Sequence, residues 1–360
     1  MTPLPKSILV VSLRYFGDLL LTTPLIHALA RGFDGAAVDV LVSTGAEEIL
    51  EGNPDVRSVL TIAGRPSLGA QRVLLGGIRR RYDPAVIAET GDRPHFYGLV
   101  AARRRAGLLP REIVARWWKA PLLSHGVVFA PDAQRVDGYR RLAQAMGLPF
   151  VAEIVAPTAG THPSIWRSRL GFDPAAERYA VLNLSPRFAY KRWHAEGWGR
   201  MIAWLHARDL RIAITGGNAP DERAYVRGLL ADTKVPVIDL AGQLRFGETA
   251  DLLRGAALFV GPDTATSHLA AACGTPAVVL FGPTDPRLWG PFPRGGLDVP
   301  YAKVASSQRH GNVLLLQEPM LPCVPCQKEG CLRHRESFSA CLDGMSATRV
   351  IEAAEAMLAR

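Results

Sequence analysis

The chain has 360 residues, which is too long for one ordinary hydrophobic core, so we expect two domains. Its hydrophobic content of 48% and charged content of 21% are typical of a globular protein, and its 34 glycines and 27 prolines form no repeat, which disfavours a solenoid. The formal net charge of +9 favours an anionic partner.

Two apolar stretches raise the question of a targeting or membrane segment. Residues 8–13 end at Arg14 and are too few for the core of a signal peptide. Residues 264–284 carry His268 and are broken by Gly-Thr-Pro at 274–276. They predict a buried helix, a turn and a buried strand rather than a membrane span. We therefore expect a cytoplasmic protein.

The first half of the chain alternates between strand and helix patterns. Residues 8–13 predict a strand that ends at Gly17 and Asp18, and the apolar spacing over 19–30 predicts a helix. Further strands are predicted at 38–42, 59–62 and 85–88.

The second half repeats this alternation after a segment rich in Pro, Thr and Gly, residues 156–163, which predicts a linker. The predicted elements are strands at 179–184, 211–215, 237–240, 257–260 and 277–281, and helices at 197–207, 264–272 and 346–358. Such alternation predicts an α/β fold with two Rossmann-like, doubly wound domains facing a central cleft. The expected bounds are 1–165, 166–345 and a closing helix at 346–360.

Polar or glycine-rich loops follow several of the predicted strands, and ligands bind beyond the carboxyl ends of strands in open parallel sheets. In the first loop, Asp18 has two interpretations. It is either the N-terminal cap of a helix or a general base that takes a proton from an acceptor hydroxyl. In the loop at 185–193, Arg187, Lys191 and Arg192 either balance a diphosphate or form a solvated basic loop.

The third and fourth loops suggest nucleotide and phosphate binding. Gly216 and Gly217 end a strand, and Asp221 or Glu222 is a candidate for holding ribose hydroxyls. A dehydrogenase is disfavoured because no G-x-G-x-x-G fingerprint is present. The segment 261–268 caps a helix whose first turn is rich in hydroxyls, which suits a phosphate or a sugar, although His268 alone is also typical of a core histidine.

The positive charge is concentrated in residues 57–119, which hold 13 Lys and Arg against four acids, so that this segment carries the whole excess. It predicts either a solvated surface or a patch that binds an anionic partner, and Trp117 and Trp118 beside Lys119 favour a membrane interface. Its clustered arginines are Arg79, Arg80, Arg81, Arg103, Arg104 and Arg105.

Four cysteines, Cys323, Cys326, Cys331 and Cys341, have a spacing that can hold zinc or an iron–sulfur cluster, and His334 could replace one of them. Reduced thiols that only pack, and redox pairing, are the alternatives, while a cytosolic location disfavours disulfides.

Taken in order, these segments resemble glycosyltransferase family 9, the lipopolysaccharide heptosyltransferases. The similar segments are the opening block at 8–24, Asn53-Pro54-Asp55, Lys191-Arg192-Trp193, and the loops at 263–268 and 280–286. The resemblance spans roughly residues 7–290. The opening block and Trp289-Gly290-Pro291 are most similar to the branch that adds the third heptose of the inner core.

The resemblance implies a GT-B fold and an inverting, metal-independent transfer from ADP-L-glycero-D-manno-heptose. It implies that Asp18 is the catalytic base, that Lys191 faces the donor phosphates, and that Asp263, Thr264 and His268 contact heptose and diphosphate, with Ala265 where a glycine is common. No cofactor is then expected for catalysis, and any zinc at the cysteines would be structural. The N-terminal domain is expected to bind the acceptor through Arg14, Thr22, Thr23 and the clustered arginines.

The expected acceptor is an acidic glycolipid at the inner leaflet, so we expect peripheral association with the inner membrane. We expect a monomer, and no nucleic-acid partner because no recognisable binding module accompanies the charge. Two alternatives stay open: a GT-B glycosyltransferase with another nucleotide sugar, and a non-catalytic protein that binds a sugar nucleotide.

Overall fold

The structure, a computed structural model, describes residues 6–14, 16–130 and 133–359, so Tyr15 of the opening block lies outside it. The described residues form two compact units, which divide between Pro157 and Thr158. This division precedes the expected boundary at 165, because the residues after it pack in the second unit. There the Thr158 hydroxyl bonds to Asp251 at 2.8 Å.

The first unit is built on a parallel sheet whose described strands run in the order β3-β2-β1-β4-β5-β6. This is the strand order of a Rossmann-like domain. Its elements are β1 Ser7–Ser12, α1 Phe16–Gly32, β2 Ala37–Ser43, β3 Ser58–Ile62, α2 Leu68–Ile78, β4 Ala85–Ile87, α3 Asp92–Ala101, β5 Arg105–Leu109, α4 Ile113–Arg116, β6 His125–Val128 and α5 Arg135–Ala145.

The second unit has a sheet in the order β12-β13-β11-β10-β7-β8-β9, parallel except for the β12–β13 pair at one edge. Its described elements are α6 Pro163–Leu170, β7 Tyr179–Ser185, α7 Ala195–His206, β8 Arg211–Gly216, α8 Pro220–Leu230, β9 Ile238–Asp239, α9 Phe246–Gly255, β10 Leu258–Pro262, α10 Ala265–Cys273, β11 Ala277–Leu280, α11 Pro286–Trp289, β12 Ser307–His310, β13 Val313–Leu316, α12 Ala340–Asp343 and α13 Ala347–Leu358. The predicted α/β fold class is confirmed.

The central strands form the core of each unit. β7 is buried at every residue, and β1 at every residue after Ser7, because helices cover both faces of a parallel sheet. The closing helix α13 is part of the second unit rather than a separate one. It packs against α7, and Arg208 pairs with Glu355 at 2.6 Å.

The Asn53-Pro54-Asp55 motif has a structural role in the first unit. Asp55 accepts a hydrogen bond at 2.8 Å from the ring of His27 on α1 and lies 3.9 Å from Arg31. The motif therefore fixes the second half of α1 and, through that helix, the position of its first turn.

No helix among these residues is long and apolar enough to cross a membrane.

Candidate functional site

Each sheet has a point where the strand order reverses, which is where ligands bind in doubly wound folds. In the first sheet it lies between β1 and β4, and in the second between β7 and β10. Asp18 follows β1, the loop that carries Lys191 follows β7, and Asp263 follows β10 directly. The predicted catalytic and donor-binding residues therefore stand at the two reversal points.

The carboxylate of Asp18 is held in a buried ion pair. Arg135 Nε lies 2.6 Å from Asp18 Oδ1, and the two side chains are 8% and 6% exposed. The Arg135 guanidinium also lies over the ring of Phe129, 5.1 Å from its centre. Asp18 is inside the first turn of α1 rather than at the cap position, so the base interpretation fits the geometry better than the cap interpretation. A buried charge needs such a partner, and Arg135 supplies it.

A second carboxylate, Glu89, lies at the same edge, directly beyond β4. It is buried, it accepts a hydrogen bond from the amide of Leu13, and it lies 3.8 Å from Arg14. Burial raises the pKa of Glu89, and the negative charge of Asp18 adds to the shift, while the Leu13 amide and Arg14 oppose it. Two carboxylates in different environments therefore share this edge.

The raised pKa of Glu89 predicts a pH-dependent stability. The folded state binds the proton of this carboxyl more tightly than the unfolded state, so Glu89 stabilises the fold at low pH and loses that contribution as pH rises through its folded pKa. Glu89→Gln should therefore gain stability relative to wild type between acid and neutral pH. The free energy of unfolding in urea, measured at acid and at neutral pH, checks this. Glu112→Gln, at an exposed glutamate, is the control. Parallel stability curves for wild type and Glu89→Gln would contradict the prediction.

Thr22 and Thr23, for which an acceptor contact is expected, lie inside the first unit. Both are fully buried. The Thr22 hydroxyl donates to the carbonyl of Asp18 at 2.8 Å, and the Thr23 hydroxyl donates to the carbonyl of Leu20 at 2.8 Å and accepts from the amide of Val155 at 3.0 Å. Threonine at a buried helical position can satisfy its hydroxyl in this way. The two residues therefore position α1, while Arg14, 38% exposed, stays available at the edge.

The clustered arginines lie at the opposite edge of the first sheet. The carbonyl of Arg81 accepts from the hydroxyl of Ser7, the first residue of β1, and Arg105 is the first residue of β5. Arg104 pairs with Asp83 at 2.6 Å. The length of the strands separates these groups from Asp18 by about 17 Å. The structure thus does not bring Arg79–Arg81 and Arg103–Arg105 to the edge that carries Asp18. A charge count along the sequence could not show this, because it does not tell whether a charge lies at the amino or the carboxyl end of a strand.

The loop beyond β7 brings Lys191 to Asp263. Lys191 Nζ lies 2.6 Å from Asp263 Oδ2 and donates to the Asp263 carbonyl at 3.1 Å. Asp263 is buried, and the Lys191 side chain is 18% exposed, so part of that side chain reaches solvent. Arg187 is exposed at the start of the same loop, 5.7 Å from the ring centre of Phe188. The arrangement supplies cations at a reversal point, as a diphosphate requires.

The N-terminus of α10 adjoins this pair. Thr264 is its cap residue but makes no side-chain cap bond, and its hydroxyl instead accepts from the amide nitrogen of Asn183 at 3.0 Å. The first amides of α10 are thus not capped by Thr264, which suits an anionic ligand. Ala265 begins the helix in a conformation that alanine adopts without strain, and His268 is buried one turn further along.

The glycine pair after β8 is shaped by Glu222. A Cβ at Gly217 would lie 1.6 Å from a Glu222 carboxylate oxygen, so a larger residue there would have to displace that carboxylate. Burial raises the pKa of Glu222, and the amide of Gly217 bonds to its carboxylate. Asp221 is exposed. Of the two acids, Asp221 is therefore the one free to meet a ribose, and Glu222 holds the Gly216–Gly217 turn.

The cysteine segment gives no support to a metal site, because no group of three or more His, Cys, Asp or Glu among the described residues is placed to hold one. Burial raises the pKa of the Cys341 thiol to about 12, with Cys326, Cys331 and Cys323 adding to the shift. Cys331 Sγ accepts from the amide of Ala340 at 3.4 Å. This arrangement fits reduced thiols that pack and accept hydrogen bonds.

The same segment contacts and stabilises the loop that carries Lys191. Ser339 donates to the carbonyl of Tyr190 at 2.6 Å, and the Arg335 guanidinium lies 5.2 Å from the ring centre of Phe188. The Phe188 and Tyr190 rings stack at 5.6 Å. Residues 335–339 therefore help to fix the approach of Lys191 to Asp263.

Three residues of these sites were not found by sequence reasoning. Glu89 follows a predicted strand, and Asn183 is a polar residue within an apolar strand. The strand pattern alone could therefore have marked both as candidate site residues. Arg135 carried no such signal, because it reaches Asp18 from a distant helix through the tertiary fold.

Comparison with known proteins agrees with this geometry. Residues 119–318 match the family model glycosyltransferase family 9 (heptosyltransferase). Lipopolysaccharide heptosyltransferase 3 of Escherichia coli is 28% identical over 291 residues, which cover 78% of this chain and 84% of that protein. The family 9 glycosyltransferase structure from Veillonella parvula superposes with a TM-score of 0.77 at 17% identity, over 98% of this chain and 97% of that one. The structure of E. coli ADP-heptose lipopolysaccharide heptosyltransferase II superposes with a TM-score of 0.75 at 19% identity, over 98% of both chains.

The matched range includes Lys191, Asp263 and Arg135, and it covers more than half of the chain. The structural matches confirm the GT-B fold class. The chain is a glycosyltransferase and belongs to glycosyltransferase family 9, the heptosyltransferases.

Proposed function

We propose that the protein transfers heptose from ADP-L-glycero-D-manno-heptose, with inversion, to the inner core of lipopolysaccharide. The observation that carries the proposal is the Lys191–Asp263 pair beside the uncapped start of α10, at the reversal point of the second sheet. The names of the family and of the similar enzymes supply the sugar and the acceptor class.

In this proposal the second unit binds the donor. Lys191 and the first amides of α10 face the diphosphate, and Asp263 orients Lys191 and accepts from heptose hydroxyls. Because the diphosphate gains negative charge as it leaves, fixed donors aimed at it lower the barrier more than they strengthen ground-state binding. Arg187 attracts the anionic donor at long range, and Asp221 contacts the ribose.

The first unit binds the acceptor and supplies the base. An acceptor hydroxyl oxygen attacks the anomeric carbon of heptose, the bond from that carbon to the diphosphate oxygen breaks, and Asp18 takes the hydroxyl proton. One displacement inverts the anomeric centre and releases ADP. Arg135 holds the Asp18 carboxylate in one orientation, so that its second oxygen is available to the acceptor.

The acceptor phosphates and carboxylates should meet the basic groups at the Asp18 edge, not the clustered arginines. Arg65 and Arg111 are exposed beyond the carboxyl ends of β3 and β5, whereas Arg79 and Arg103 are exposed at the amino edge. We expect Arg65→Glu with Arg111→Glu to raise the acceptor KM about tenfold or more, since each lost charge contact is worth about 1 kcal/mol. Steady-state kinetics with varied acceptor measures this.

The matched control is Arg79→Glu with Arg103→Glu, which makes the same change of net charge. Its acceptor KM should stay within about twofold of wild type at physiological salt, where charges further apart than about 8 Å are screened. Equal increases in both pairs would mean that net charge, and not its position, governs acceptor binding.

The proposal is tested by the product. Incubation with ADP-heptose and a heptose-bearing core acceptor should add one heptose residue by mass, and NMR should find the anomeric configuration opposite to that of the donor. Transfer only from a different nucleotide sugar would overturn the donor assignment. Donor binding without transfer to any core acceptor would favour a non-catalytic role.

A further inference from the structure

An exposed apolar group projects from the Asp18 edge of the first unit. The segment 110–119 begins where β5 ends and contains α4. Ile113, Val114 and Trp117 are 71%, 84% and 69% exposed, and we name these three residues the apolar tip. Large apolar side chains grouped on the surface typically mark a contact with another molecule or a membrane.

Contacts of Trp118 and Lys119 with the rest of the first unit hold the segment in place. The fold therefore keeps the apolar tip exposed. Lys119 is 3% exposed, donates to the carbonyl of Thr90 at 2.8 Å and pairs with Asp92 at 2.7 Å. The Trp118 ring packs edge-on against His95 at 6.3 Å. Of the two adjacent tryptophans, Trp118 therefore packs inward and Trp117 faces solvent, which corrects the expectation that both meet a membrane.

Basic side chains surround the apolar tip. The Arg93 guanidinium donates to the carbonyls of Ala63 and Gly64 at 2.6 and 2.7 Å, which ties the loop after β3 to the start of α3. Together the segments 63–67, 90–93 and 110–119 carry five basic side chains against two acidic ones, and of these Lys119 and Asp92 pair with each other. Among them Arg111 is exposed and Arg116 is half-buried, next to the apolar tip.

We propose that the apolar tip inserts into the headgroup region of an anionic lipid bilayer. Three side chains are too few for a stable protein interface, which buries about 1,200–2,000 Å². They suffice as anchors when neighbouring cations attract anionic lipid, and tryptophan prefers the headgroup zone. The tip stands at the edge that carries Asp18, so this contact faces the base toward a lipid-linked acceptor. The choice of a membrane partner rests on the proposed function.

Flotation with vesicles tests the contact. The probe is an equimolar mixture of phosphatidylethanolamine and phosphatidylglycerol, and the triple variant Ile113→Ser, Val114→Ser, Trp117→Ser removes the apolar tip. We expect wild type to float and the variant to bind at least about tenfold more weakly, because serine removes most of the apolar surface that the headgroup region would bury. Unchanged flotation of the variant would overturn the proposal.

The matched control is Val299→Ser, Val304→Ser, Met320→Ser, which removes three exposed apolar side chains from the second unit and should float like wild type. Trp117 is the exposed member of the seven tryptophans, all within the described ranges, so brominated lipid should quench part of the wild-type fluorescence and none of it in Trp117→Phe. Self-association of wild type in sedimentation, lost in the tip variant, without any vesicle binding, would assign the tip to a protein interface and overturn the proposal.

A kinetic comparison separates this proposal from the proposed function. The tip variant should match wild type with a deacylated, water-soluble acceptor and show at least about a tenfold higher KM with the acceptor embedded in vesicles. Equal KM values of wild type and the tip variant for the embedded acceptor would contradict the membrane contact and leave the proposed function standing. Inactivity of wild type on both acceptors would refute the proposed function while leaving the flotation result to decide the contact.

Discussion

Replacing Asp18 by asparagine is expected to lower kcat by about 10²–10⁴-fold and to leave donor affinity within a few-fold. The reason is that a positioned general base contributes this much to a proton transfer, and asparagine cannot take the proton. Asp18 lies in the first unit, whereas the groups that we propose to bind the donor lie in the second, so we expect the two effects to separate. Single-turnover kinetics and ADP titration measure them.

The control must allow for the buried ion pair. Asparagine removes the charge that Arg135 contacts at 2.6 Å, and breaking such a buried ion pair can lower the free energy of unfolding by about 3–5 kcal/mol. Thermal unfolding of the variant fixes an assay temperature at which it is folded, and Asp34→Asn, at an exposed aspartate, supplies the matched neutral change. Near-normal kcat in folded Asp18→Asn would remove Asp18 from the proton transfer.

Replacing Lys191 by methionine is expected to lower kcat/KM for the donor by about 10²–10³-fold. One fixed donor aimed at developing negative charge is worth this much, and methionine keeps the length of the side chain without its charge. The acceptor KM should change little, because the proposed function assigns the acceptor to the first unit. Initial rates with each substrate varied in turn give both numbers.

Lys234→Met is the matched control, since Lys234 is exposed in the same unit and should behave as wild type. Lys191→Arg keeps a cation and should recover part of the loss, although a guanidinium differs in shape from an ammonium group. A purely structural role for the Lys191–Asp263 pair would instead lower the stability of Lys191→Met and leave the donor dependence of the folded enzyme unchanged.

The central strands and the residues that follow them could be predicted from the sequence. β1, β7, β10 and β11 appear as short apolar runs, because a parallel sheet is covered on both faces. The residues that end such runs stand at one edge of the sheet, which is how Asp18, Lys191 and Asp263 were found. Local patterns singled out these loops, whereas the roles of Asp18, Lys191 and Asp263 came from the resemblance to family 9 and stay predictions.

Features that depend on tertiary placement could not be predicted. The edge strand β6 is mostly exposed and has no continuous apolar run, and the antiparallel β12–β13 pair departs from the alternation. Arg135 is 117 positions beyond Asp18 in the sequence, and only the packing of α5 against α1 brings the two side chains together. The arginines at 79–81 and 103–105 were assigned to the acceptor from their charge and their place in the N-terminal domain, and neither reveals that they lie at the start of a strand instead of beyond its end.

The most direct test of the account is acceptor-dependent release of ADP, measured for a panel of nucleotide sugars with a heptose-bearing core acceptor. The account predicts release from ADP-heptose that requires the acceptor and is lost in Asp18→Asn. Release from another nucleotide sugar alone would contradict the donor, and release from ADP-heptose that is independent of the acceptor would contradict the transfer.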